Sequence, residues 1–278
     1  ERHVAALFMA GRVQQARGDL AAAEPLLRRA YDLQTRLSGE LSDGTVNARN
    51  GLADLLVVRG KTGEAEALLR KNVDAVRSIY GESSVTLGIM WNNLANALSD
   101  IPAKYVEAEK AYLEAIRILE AALEPGHPEI ATSHNNLGSL YVKTGDFDRA
   151  AGEYAIALEL RLARLGPEHT STISSGMGLA LAWNGLGRRA EAEAALREAK
   201  AAFGRSLGPA HWRTANAQYQ LGVVLKDQGK LAEALAEVKP AREILLADLG
   251  PDHPRTAPAT RTLAELETAL QAGVSTGP

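Results

Sequence analysis

The 278-residue sequence predicts an all-α protein made of about six and a half copies of a 42-residue helix–turn–helix unit. Three observations predict it. A turn signal recurs as Gly18-Asp19-Leu20, Gly60-Lys61-Thr62, Gly145-Asp146-Phe147, Gly187-Arg188-Arg189 and Gly229-Lys230-Leu231, with Ala103-Lys104-Tyr105 in the remaining slot, at spacings of 42, 43, 42, 42 and 42. A ladder of small and large apolar residues follows each turn at helical spacing. Finally, the chain is rich in alanine and only 5% aromatic, which suits closely packed helices better than a β-sandwich.

The ladder justifies the second helix of each unit. Five residues after each turn stand Ala23, Ala65, Ala108, Ala150, Ala192 and Ala234. Four further on come Leu27, Leu69, Tyr112, Tyr154, Leu196 and Val238, and three beyond that Ala30, Ala115, Ala157, Ala199 and Ala241, with Asn72 the exception. Residues three and four apart share a helix face, so small residues let two axes approach and large ones fill the space between units. The first helices carry the complementary pair: Leu52, Leu94, Leu137, Leu179 and Leu221 precede Ala53, Ala95, Gly138, Ala180 and Gly222, and Gly11 starts the series. The turn glycine supplies the left-handed backbone that ends a first helix. The third unit lacks it and carries Pro102, another helix stop, with one extra residue.

First helices are therefore expected near 2–17, 44–59, 84–100, 128–144, 170–186 and 212–228, and second helices near 20–37, 62–80, 104–122, 147–164, 189–205 and 231–248. The units read 2–42, 43–83, 84–126, 127–168, 169–210 and 211–252, forming one array over 1–272. A last helix, within 253–271, covers the end of the stack, as terminal repeats require, and 273–278 reads as a disordered tail.

Hydrophobic residues at 46% and charged residues at 23% give enough apolar surface for a core and argue against disorder. A net charge of −3 without long basic runs argues against nucleic acid or anionic membrane as partner. The absence of cysteine excludes disulfides and cysteine–zinc sites. No apolar stretch approaches a membrane span, so no membrane insertion and a cytoplasmic location are expected. Arginine outnumbers lysine 22 to 9, which suggests a GC-rich, bacterial genome, and the start at Glu1 without Met suggests a piece of a longer protein.

The small residue, turn glycine and alanine–large–alanine ladder resemble the tetratricopeptide repeat. Segments such as Trp91-Asn92-Asn93-Leu94-Ala95 and His134-Asn135-Asn136-Leu137-Gly138, with linkers Leu165-Gly166-Pro167-Glu168-His169 and Leu249-Gly250-Pro251-Asp252-His253-Pro254, resemble its longer, kinesin-light-chain-type form. The resemblance implies a right-handed α-solenoid whose first helices line a concave groove, and a scaffold that binds an extended peptide or partner segment there. It also implies two alternatives: a regulatory or sensory appendage of a larger bacterial signalling protein (a Ser/Thr kinase, a transcription activator or a signalling ATPase), or self-assembly through open ends.

No chemistry-bearing constellation competes with this reading. His127, His169, His211 and His253 recur every 42 residues, but in separate loops, whereas a metal needs its ligands around one ion. Each precedes a first helix, where Ser42 and Ser84 hold the equivalent place, so capping is expected. Glu107, Glu109, Glu191, Glu193 and Glu233 fall around second-helix starts, where they complement the dipole and the solvent. No phosphate loop or nucleophile elbow occurs, and neither enzyme activity nor a cofactor is expected.

Asparagine is the informative residue. Asn50, Asn92 and Asn135 share one first-helix register, Asn93 and Asn136 the next, and Asn47, Asn96, Asn184 and Asn216 lie on neighbouring turns of the same side. Asparagine inside a helix costs about 0.5–0.7 kcal/mol relative to alanine, so its recurrence asks for a reason. One reason is contact with the backbone of an extended peptide, since an amide offers two donors and an acceptor. The other is hydrogen bonding between adjacent first helices that holds their register. Projected with them are Phe8, Arg12, Arg49, Asp54, His134, Ser139, Lys143, Met177, Leu181, Tyr219, Val223, Lys226 and Asp227. The expected groove residues are Asn47, Asn50, Asn92, Asn93, Asn96, His134, Asn135, Asn136, Lys143, Tyr219 and Lys226. Some tetratricopeptide domains clamp a terminal carboxylate with Lys, Asn and Arg; Asn93 and Asn136 match the asparagine part, but the basic register here holds Phe8, Asn50, Asn92, Asn135, Met177 and Tyr219. Trp91 and Trp183 are expected to pack between helices, and Trp212 to be half exposed beside His211.

Overall fold

The structure, a computed structural model, describes residues 2–251 and 253–275, with side chains to 272. Among the described residues it contains thirteen α-helices and no strand: α1 Arg2–Ala16, α2 Leu20–Ser38, α3 Asp43–Val58, α4 Thr62–Tyr80, α5 Val85–Leu98, α6 Tyr105–Ala122, α7 Pro128–Thr144, α8 Phe147–Leu165, α9 Thr170–Gly185, α10 Arg189–Leu207, α11 Trp212–Asp227, α12 Leu231–Leu249 and α13 Thr256–Ser275. Odd-numbered helices are the first and even-numbered the second of each unit. The chain divides into two compact units, 1–140 and 141–278, and the division falls inside α7.

The helix ends follow the expected chemistry. Gly60, after α3, adopts φ 71°, open to glycine and strained for other residues, and its N–H closes the turn onto the Val57 carbonyl. In the third unit α5 stops at Leu98, and a 3₁₀ turn over Pro102–Lys104 replaces the glycine turn. The last helix begins at Thr256 and continues to Ser275, past the expected start of the tail; 276–278 lie outside the described residues. The tail expected over 273–278 is thus helical in its first three residues.

Packing within each unit follows the ladder. Ala23, Ala65, Ala108, Ala150, Ala192 and Ala234 are fully buried, and Leu27, Leu69, Tyr112, Leu196 and Val238 nearly so. The small residues are there because the neighbour is close: a Cβ on Gly11 would stand 2.7 Å from Leu27 Cγ, and one on Gly222 2.4 Å from Val238 Cγ2. The ladder's exception is explained by its partners. Asn72 is completely buried, donates to the Val46 carbonyl at 3.2 Å and accepts from Arg49 Nη1 at 3.1 Å.

Candidate functional site

The first helices touch one another within each unit, α1 with α3, and α9 and α13 with α11. Their side chains join polar partners about one period apart. Asn93 Nδ2 donates to Asn50 Oδ1 at 3.0 Å, from α5 to α3, and Asn136 Nδ2 donates to Asn92 Oδ1 at 3.3 Å, from α7 to α5. In the second unit Asn184 donates to Asp227 at 2.7 Å and the Tyr219 hydroxyl lies 3.4 Å from Thr262 Oγ1. The Lys226 ammonium pairs with Glu265 at 2.6 Å, and Arg12 faces Asp54 at 3.7 Å in the first unit.

The expected groove residues do not form one class. Asn47 and Lys143 are exposed; Asn50, Asn93, Asn96, Asn135, Asn136 and Lys226 are half-buried; Asn92 and Tyr219 are buried. Asn96 accepts a 2.6 Å bond from the Tyr112 hydroxyl of α6, which fixes its amide toward a second helix. His134 departs from expectation. It is 6% exposed, and its Nε2 lies 3.5 Å from the Glu120 carboxylate of α6, so it packs between units instead of on the first-helix face. Arg49, two periods earlier in the same register, does the same. It is 1% exposed, pairs with Glu40 and Asn72, and stands 5.5 Å over the Tyr31 ring. The helical projection drew both onto the wrong side, because this register faces the neighbouring second helices.

All four loop histidines cap. Nδ1 of His127, His169, His211 and His253 accepts from the backbone N–H two residues on, at 3.2, 3.2, 3.0 and 3.2 Å, while Ser42 and Ser84 accept three residues on, at 3.3 and 3.2 Å. Burial and the nearby Arg255 charge hold His253 below the ordinary histidine value. No group of potential metal ligands occurs among the described residues. Trp212 is half-buried and stacks on His211 with centroids 5.7 Å apart, and the guanidiniums of Arg213 and Arg255 each lie 5.1 Å from its ring. Trp91 and Trp183 are likewise half-buried, with Arg77 and Arg188 at 5.8 and 5.0 Å from their rings.

One network was not read from the sequence. Glu24, Glu66 and Glu193 hold the same register of α2, α4 and α10. Each binds an arginine four residues on (Arg28, Arg70, Arg197) and the lysine of the next turn (Lys61, Lys104, Lys230). The arginines in turn meet Glu64, Glu107 and Glu233 on the following second helix. The hydrogen bond from Lys61 is the main reason Glu24 lies at about 2, and that from Lys230 plays the same part for Glu193, also about 2. The sequence carries the signal as a glutamate next to the ladder alanine and a lysine in the turn; of these three glutamates only Glu193 is singled out by sequence, as complementing the helix dipole and the solvent.

The sequence profile of the tetratricopeptide repeat matches residues 3–78, 45–121, 86–163 and 213–272, and a second profile of the same description matches 172–213. The chain belongs to the tetratricopeptide repeat family. No curated protein sequence matches it. Among solved structures, this repeat protein resembles BtubC (BKLC) from P. vanneervenii at 23% identity, covering 82% of this chain and 91% of that one with a TM-score of 0.66. It resembles a kinesin-light-chain-like protein of Podosopora anserina with nearly identical TPR-like repeats at 22% identity, covering 73% and 96%, TM-score 0.61. It also resembles a Rap protein complexed with competence and sporulation factor at 13% identity, covering 96% and 75%, TM-score 0.65. At these identities the likeness is one of fold. No helix among the described residues is long and apolar enough to cross a membrane.

Proposed function

We propose that this tetratricopeptide protein is an interaction scaffold that holds an extended peptide or partner segment against its first helices, centred on the amide row of α3, α5 and α7. The observation that carries this reading is the Asn50–Asn93 and Asn92–Asn136 pairing. Each pair uses one N–H and one carbonyl, and a primary amide has two N–H donors and two carbonyl lone pairs. The amides are oriented by their partners, and Asn50, Asn93 and Asn136 are still partly exposed. Oriented, half-exposed amides suit the alternating N–H and C=O groups of an extended backbone, whatever its side chains. Asn135 extends the row on α7, and Asn47 and Asn96 flank it; Lys143, exposed on α7, belongs to the second compact unit. In the second unit Tyr219 and Lys226 occupy the corresponding face of α11, each tied to α13. A Rap protein of the same fold is known in complex with a factor, which supports binding as the role of such a fold.

The test is selection of peptides from a displayed random library on the whole chain, followed by Asn50→Ala, Asn93→Ala and Asn136→Ala. Affinity for a selected peptide should fall by about fivefold or more per variant, the equivalent of roughly 1 kcal/mol per lost bond, with helicity by circular dichroism retained. A lower melting temperature with unchanged peptide affinity would instead make the row a device for holding register, and the proposal would fail.

A further inference from the structure

The first helices α1 and α13 expose opposite registers, and only one of them does so with polar residues. α13 packs against α12 and, more lightly, α11. Its Ala259 and Leu266 are fully buried, whereas Ala264, in the register of Gly11 and Gly222, is exposed among Arg261, Glu265 and Thr268. The registers of Ala259 and Leu266 are therefore covered by the preceding helices, and the register of Ala264 belongs to the second helix of the same unit. In α1 these registers hold Ala6, Val13 and Gly11. Gly11 is buried against Leu27 of α2, but Ala6 is exposed and Val13 is 45% exposed.

The open registers of α1 are core elsewhere in the chain. That of Val13 holds Leu55, Ala97, Ala182 and Val224, all fully buried, and that of Ala6 holds Ala48 and Ala217, both buried. Ala217 packs in one apolar cluster with Ala199, Ala202 and Phe203 of α10, the second helix of the preceding unit. A neighbouring register faces the preceding first helix: Asn93 reaches back to Asn50, and a Cβ on Gly51 would stand 2.5 Å from Phe8 Cε2. In α1 that register holds Met9, 61% exposed. Ala6, Met9, Ala10 and Val13 stand at i, i+3, i+4 and i+7, so the open surface is one apolar stripe along the helix. A terminal repeat that faces solvent carries a polar outer surface, as α13 does and α1 does not.

We propose that this stripe of α1 is a docking surface for an amphipathic helix of the second-helix type, namely the second helix of a further tetratricopeptide unit. The contacts of α2 with α3, α4 with α5, α8 with α9, α10 with α11 and α12 with α13 are the precedent, because the stripe continues the registers that they bury. They also narrow the occupant. In a second copy, each of those second helices already carries its own first helix on the face required. Ala10 stands where Leu52, Leu94, Leu179 and Leu221 are buried, so the space beside it calls for a large apolar residue from the occupant, as Phe203 supplies to α11. The surface does not use the Asn50–Asn93 and Asn92–Asn136 pairs, so its test is independent of the peptide-binding reading.

The probe is a synthetic peptide of residues 189–207, the α10 helix with Phe203 on its apolar face, titrated into the ¹⁵N-labelled chain. The amide signals of Ala6, Met9, Ala10 and Val13 should shift saturably, and a peptide carrying Phe203→Ala should bind about tenfold more weakly, the loss of one large apolar contact. Val13→Glu in the chain should abolish the shifts with helicity by circular dichroism retained; Met9→Glu serves the same purpose where Val13→Glu lowers helicity. Leu37→Glu, at an exposed site of α2, should leave binding intact. Absence of saturable shifts in α1 overturns the proposal, as does binding that survives Val13→Glu. A concentration-dependent dimer in light scattering that Val13→Glu dissociates also overturns it, by making a second copy the occupant.

Discussion

Each loop histidine accepts a backbone N–H through Nδ1, which makes the ring a cap for the helix that follows. Two units use serine at that place, which makes the role exchangeable. His169→Ala should therefore destabilise the chain by about 1 kcal/mol, while His169→Ser should restore most of the loss, measured by urea unfolding. Equal loss in both variants would mean that the imidazole packs instead of capping.

At the scale of the element, the spacing between paired helices is set where small residues meet large ones. Gly222 of α11 faces Val238 of α12 at a separation that leaves no room for a methyl group, with the Ala234 carbonyl at 3.2 Å from the same point. Gly222→Ala must push the two helices apart, because the atoms in the way are a branched side chain and backbone. A loss of about 1–3 kcal/mol is expected, read as a lower melting temperature. An unchanged melting temperature would show that the α11–α12 pair has slack. The 3₁₀ turn over Pro102–Lys104 shows that a helix pair tolerates a different turn provided the ladder after it is kept: Ala108, Tyr112 and Ala115 are as buried as their counterparts.

Across the whole molecule, the ion pairs repeat with the helices in both units. Glu24 and Glu193 lie at about 2, against an ordinary glutamate value of 4.5, and Glu64 and Glu66 are lowered too. Each folded value lies below the unfolded one, so the unfolded chain binds more protons as pH falls. The contribution is complete above about pH 4.5 and is lost progressively toward pH 2. Thermal unfolding followed from pH 7 to pH 2 should show the melting temperature falling mainly in that window. Glu193→Gln should lower stability at pH 7 by about 1–2 kcal/mol and flatten the fall, since it removes a carboxylate held by Lys230, Arg197 and Gln228. A variant with the same acid profile as the natural chain would assign the acid sensitivity elsewhere.

The 42-residue unit itself was legible in the sequence, because helix period, turn glycine and small–large packing are local rules that repeat in register. That is why helix order, the buried alanine ladder and the histidine caps could be read without coordinates. The sequence by itself determined that helices pair and which residues lie in the pairing. Only the tertiary structure decided which way the remaining polar residues turn. Arg49 and His134 share a helix with the asparagines, yet a rotation of one residue carries them off the amide face into the space between second helices. The Glu24-type network depends on side chains some 20 to 40 residues apart in sequence. A helical wheel shows one element's periodicity; it cannot show which neighbour covers a face, and that neighbour fixes whether a side chain becomes core, cap or contact.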